Sequence, residues 1–138
     1  MAADTKSTID RLASVCSRHP VTFAMLFGSA ARGEESARSD LDLAVEFEER
    51  VREDGYSEAY LQLRSDLAAE IGRDVDVVRI DAMSPAFAHV AFDEGIVVVG
   101  DEERKGEIER EVAGPLPSVS KSRERIAAAA ARLADLRT

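Results

Sequence analysis

Asp40 and Asp42, one residue apart, open a stretch in which polar and apolar residues alternate. At a strand's period of two, Asp40, Asp42, Ala44 and Glu46 share one face, and Leu41, Leu43, Val45 and Phe47 share the other. Carboxylates at i and i+2 of a strand stand ~6.5–7 Å apart at Cα and can converge on one hard cation. Magnesium takes oxygen ligands of this kind, usually one or two carboxylates completed by substrate phosphates. The leucines lock the strand into a core, so rigid scaffold aims both carboxylates. Upstream, the apolar run Val21–Phe27 ends in Gly28-Ser29, ten residues before Asp40. A glycine there lets a phosphate approach the backbone, and the serine supplies a hydroxyl and an N–H to hold it. A second pair with the same spacing, Asp74 and Asp76, lies in Asp74-Val75-Asp76-Val77-Val78. Asp76 is the stronger candidate, because it is embedded in the apolar run and would be costly to bury without a partner or a metal. An ion pair from Asp76 to an arginine is the alternative.

Gly28-Ser29, a ten-residue gap and Asp40-x-Asp42 resemble the signature of the polymerase-beta-like nucleotidyltransferase superfamily. The fuller wording, Leu26-Phe27-Gly28-Ser29-Ala30-Ala31-Arg32-Gly33 through Ser39-Asp40-Leu41-Asp42-Leu43-Ala44-Val45, is similar to the minimal nucleotidyltransferases, called MNT. The motif covers about 20 residues, and the order of elements after it extends the likeness loosely along the chain. The resemblance implies catalytic and metal-binding roles for Asp40, Asp42 and Asp76, with two Mg2+ ions between the carboxylates and the phosphates of ATP. It implies nucleotide binding by Gly28 and Ser29. Arg32 is placed to add a charge-assisted contact, with an ion pair to Glu34 or Glu35 as the alternative. MNT proteins resemble one half of two-protein toxin–antitoxin modules whose other half is a HEPN-type ribonuclease. The implied reaction is transfer of AMP from ATP to a tyrosine of that toxin. Two further readings stay open: a small-molecule adenylyltransferase of the aminoglycoside type, and an antitoxin that acts by binding alone.

Other catalytic templates are absent. Ser29 lacks the Gly-x-Ser-x-Gly elbow of a hydrolase, and the chain has no Walker loop or dinucleotide fingerprint. His19, before Pro20, reads as solvated, while His89 and Cys16 read as core residues.

The elements that must position these residues follow from periodicity and punctuation. A first helix is predicted from about Lys6 to Arg18, capped by Thr5 or Ser7, with Ile9, Leu12, Ala13 and Cys16 on one face. Val21–Phe27 reads as a strand buried on both faces, and Asp40–Phe47 as the alternating strand. Glu48–Tyr56 reads as a charged loop. Ser57 is predicted to cap a helix to about Ile71, closed by Gly72. Asp74–Ile80 is a third strand. Ser84-Pro85 starts a helix that stops at Gly95, and Ile96–Val99 is a fourth strand. A charged helix from about Asp101 to Val112 and a last one from about Ser120 to Leu136 complete an α/β (α+β) domain, a small mixed four-stranded sheet flanked by helices. Residues 1–138 read as one domain, with 101–138 a helical C-terminal extension.

Composition bounds the rest. The apolar fraction of 45% suffices for a core, which alanine, valine and leucine must fill because aromatics make up only 5%. A single cysteine excludes an internal disulfide and a cysteine-rich zinc module, which makes the cytoplasm the expected setting. No run approaches a membrane span and no secretory leader is visible. The net charge of −9 opposes stable nucleic-acid binding, which needs a basic face. Ser120–Thr138, with Arg123, Arg125, Arg132 and Arg137, carries five basic residues against two acidic ones and reads as a docking edge for a partner protein, with a solvated helix face as the default alternative.

Overall fold

The computed structural model describes residues 2–33 and 40–114, with backbone alone for 2–5. Four strands form one sheet: β1 (Val21–Phe27), β2 (Leu41–Phe47), β3 (Val75–Arg79) and β4 (Ile96–Val99). Their spatial order is β3-β2-β1-β4. β2 runs parallel to β3 and antiparallel to β1, and β4 runs antiparallel to β1, so the sheet is mixed. Helices cover both faces. On one side lie α1 (Ala2–Cys16) and α3 (Ser57–Ile71); on the other lie α4 (Pro85–Glu94) and α5 (Glu102–Ala113).

The alternation in β2 sorts its residues between two cores. Leu41, Leu43, Val45 and Phe47 pack with Leu12, Val15 and Cys16 of α1 and with Leu63, Leu67 and Ile71 of α3. Ala44 joins the opposite core, with Phe23, Met25 and Phe27 of β1, Ala88, Ala91 and Phe92 of α4, and Ile108 of α5. β1 is central and feeds both cores, which explains its unbroken apolar run.

Several boundaries differ from the sequence reading for identifiable reasons. α1 begins at Ala2, a turn early, in a segment with two good helix-forming alanines. The stretch read as loop contains a short helix, α2 (Glu49–Glu53), which buries no residue. Its acidic start and its arginines in the last turn suit the helix dipole, and such a turn carries no apolar period to reveal it. Ser57 does not cap α3. The cap position is Tyr56, held at φ 70° with no side-chain capping bond. Its ring packs edge-on to Phe47 and under the Arg79 guanidinium, and its hydroxyl donates to Asp81. That hydroxyl's pKa is raised by burial and by the Asp81 bond. Ser84 does cap α4, accepting from the Phe87 N–H at 3.2 Å, with Pro85 at the first helical position. The helix expected at Ser120–Leu136, with its arginines, lies outside the described residues.

Candidate active site

The register across three strands sets the site. Phe27 lies opposite Asp42 in the β1–β2 ladder, and Asp42 lies beside Asp76 in the parallel β2–β3 ladder. Neighbouring strands are ~4.8 Å apart, so the two aspartates are adjacent on one sheet face. That face is the α4 side, since Ala44, two residues along β2, belongs to the α4 core. Asp40 precedes β2 by one residue and is exposed; the strand is fixed there by the Leu41 N–H donating to the Asp74 carbonyl at 3.0 Å. Asp76 is exposed, not buried among valines as the sequence suggested. β3 is an edge strand, and its buried residues Val75 and Val77 face the α3 core instead. Asp40, Asp74 and Asp76, with Leu61 and Arg64 of α3, border an open cleft of about 530 Å³.

Gly28 follows β1 with φ +77°, a conformation that L side chains rarely adopt. A Cβ there would overlap Asp42 Oδ2 and stand 3.2 Å from the Asp42 carboxyl carbon. The missing side chain is thus the space the Asp42 carboxylate occupies. The turn that follows is tied by the Arg32 N–H to the Gly28 carbonyl and by the Gly33 N–H to the Ala30 carbonyl, both at 3.2 Å. Ala30 is buried and plugs this turn into the core, which leaves Ser29 half-buried beside Gly28.

Sequence reasoning missed Glu94, the last residue of α4. One carboxylate oxygen accepts from the Gly28 N–H at 3.1 Å and the other from Arg32 Nη1 at 2.6 Å. Arg32 therefore has an ion pair across 62 residues of sequence to Glu94. The available clue was an acidic residue at a helix C-terminus, where the dipole disfavours it and a cationic partner is needed. On the same face of β2, Glu46 serves structure: Arg104 of α5 donates to both its oxygens, a bond that raises the Arg104 pKa.

The histidines and the cysteine stand apart from this site. His89 is buried in α4, as expected. His19 is not solvated: its side chain is packed, with Nε2 2.8 Å from Asp66 Oδ2. Cys16 is fully buried, and burial pushes its thiol up to about 11.

Asp40, Asp42 and Asp76 offer oxygen donors only, which suits magnesium and not a structural zinc. Among the described residues no three or more His, Cys, Asp or Glu side chains converge into a metal-holding cluster. The adjacent Asp42–Asp76 pair fits a cation held by one or two carboxylates and completed by substrate oxygens and water.

Comparison with known proteins places the chain among nucleotidyltransferases. Two Methanocaldococcus jannaschii proteins, provisionally named protein adenylyltransferases MJ1379 and MJ0435, are 33% and 34% identical over 82 and 83 residues. Those spans are 59% of this chain and 80% and 84% of the relatives. A solved structure described as a minimal nucleotidyltransferase matches with TM-score 0.56 at 33% identity, over 66% of this chain and 89% of that one. A complex of a tri-AMPylated Shewanella oneidensis HEPN toxin with its MNT antitoxin matches in fold, with TM-score 0.56 at 16% identity, over 97% and 99% of the chains. The family model for polymerase beta nucleotidyltransferases spans residues 10–104, which takes in the Gly28-Ser29 turn, all three aspartates and Glu94. The chain belongs to the polymerase beta nucleotidyltransferase family.

Proposed function

We propose that this chain transfers AMP from ATP to a tyrosine hydroxyl of a HEPN-type ribonuclease partner, forming a phosphodiester to the tyrosine oxygen as pyrophosphate leaves, and so silences it, in the cytoplasm where both meet. The observation that carries the reading is the strand register that sets Asp42 beside Asp76, with the Asp42 carboxylate seated on Gly28. Asp40, Asp42 and Asp76 would hold magnesium. Two such ions, when bound, neutralise the triphosphate and lower the pKa of the attacking hydroxyl. Asp40 and Asp42 would meet the nucleotide phosphates through magnesium, and Ser29, beside Gly28, would offer them its hydroxyl and N–H. Asp76 lies on the acceptor side and orients the incoming hydroxyl or takes its proton. The names of the relatives and the AMPylated toxin in a neighbouring structure support protein as the acceptor.

The test is incubation of the purified chain with ATP, magnesium and the product of the neighbouring gene. The expected result is a mass gain of one or more AMP units on a partner tyrosine, with loss of its ribonuclease activity. Tight binding without mass gain would mean an antitoxin that acts by blocking. Modification of aminoglycosides in the absence of any partner would mean a small-molecule enzyme.

A further inference from the structure

We infer that Glu94 is a positioning residue for the nucleotide site, acting through Gly28 and Arg32; this rests on the proposed reading of that site. The carboxylate spans two elements distant in sequence, the C-terminus of α4 and the turn after β1. Each oxygen serves a different donor, so the group cannot move without releasing both. Its side chain is only 17% exposed, whereas Arg32 is 46% exposed at the mouth of the turn. The shielded acid is thus the fixed member of the pair, and the arginine is the one presented outward. Glu94 sits where the helix dipole opposes it, and the Gly28 N–H and the guanidinium offset that cost.

The consequence reaches Asp42. Gly28 keeps its positive φ while its N–H is held by Glu94, and that backbone pose leaves the gap the Asp42 carboxylate fills. With its N–H committed to Glu94, Gly28 contributes space, and phosphate donation falls to Ser29 and Arg32. Glu94 thereby fixes two things a triphosphate would meet: the course of the turn and the direction of the Arg32 guanidinium.

The test compares wild type with Glu94→Ala, which removes both contacts, and with the isosteric Glu94→Gln, which keeps an acceptor for Gly28 but loses the charge facing Arg32. ATP affinity is read calorimetrically with magnesium present, beside KM and kcat for transfer. The expected result is a roughly tenfold weaker Kd and higher KM for Glu94→Ala, a smaller effect of the same sign for Glu94→Gln, and kcat within about threefold of wild type. In an Arg32→Ala background, Glu94→Gln should add little. Unchanged Kd and KM in both variants would make the bridge purely structural and overturn the inference. Tighter ATP binding would also overturn it, because Glu94 would then compete with phosphate for its two donors. Should Glu94→Ala fail to fold, Glu94→Gln decides alone. Wild type that binds ATP but transfers nothing to any acceptor would sink the proposed function while leaving this test readable. Wild type that binds no ATP would sink both.

Discussion

Asp42 and Gly28 behave as one unit, because the carboxylate of the first fills the space left by the missing side chain of the second. Gly28→Ala should therefore fail twice. The positive φ costs an L residue ~1–2 kcal/mol, and the new methyl group displaces Asp42 Oδ2. The expected outcome is a lower melting temperature together with weaker ATP binding in calorimetry. Adding Asp42→Gly should remove the steric part of the stability loss and leave the backbone part, so the two changes will not add. Asp76 and Asp74 are separated by the register in the same way. Asp76 lies beside Asp42, while Asp74 adjoins the start of β2 one step before the paired residues. Asp76→Ala should thus lower AMP transfer by ~100-fold or more, the loss of ~3 kcal/mol of transition-state stabilisation, with ATP binding largely retained. Asp74→Ala should be mild. Both are read by a transfer assay at saturating ATP, and the reverse ranking would assign the acceptor side to Asp74.

The elements that carry these residues differ in how openly the sequence announces them. β1 and β4 appear with the predicted bounds because an apolar run between punctuating residues has few alternatives at strand length. β2 was legible in its two faces, and its pairing with β3 then brought Asp42 and Asp76 together. That pairing was not legible, since register depends on partners outside the local pattern. Glu94 and the Asp66 partner of His19 were hidden for the same reason: each joins segments more than 40 residues apart. Tyr56 was missed because its positive φ is sustained by Phe47, Arg79 and Asp81, none of them local. α4 is the opposite case. Its start is written in Ser84-Pro85, and its end delivers Glu94 to the site. Ser84→Ala should cost about 1 kcal/mol, read by chemical denaturation, because the Phe87 N–H loses its acceptor. Little change in transfer is expected, since Glu94 lies at the far end of the helix.

As a whole, the molecule is a sheet between two helical layers, and Cys16 sits in the layer formed by α1 and α3, sealed from water. Burial raises its pKa from 9.0 to about 11, because the thiolate would lose its hydration without gaining a partner. The sign of the linkage follows. The unfolded chain releases the thiol proton near 9 and the folded chain near 11, so between those values the unfolded state binds fewer protons. The stability tied to the protonated thiol is intact below pH 9 and is lost as the pH rises toward 11, by roughly 2–3 kcal/mol if Cys16 acts alone. Tyr56, whose pKa is also raised, adds in the same sense at higher pH. Melting temperature measured from pH 8 to 11 should therefore fall steeply in wild type and more gently in Cys16→Ala, after allowance for the variant's lower starting point. A thiol-specific reagent at pH 8 should label native protein far more slowly than unfolded protein, because the Cys16 sulfur is fully buried. Equal alkaline slopes in the two proteins, or rapid labelling of the native state, would mean that α1 opens independently of the sheet that carries the site.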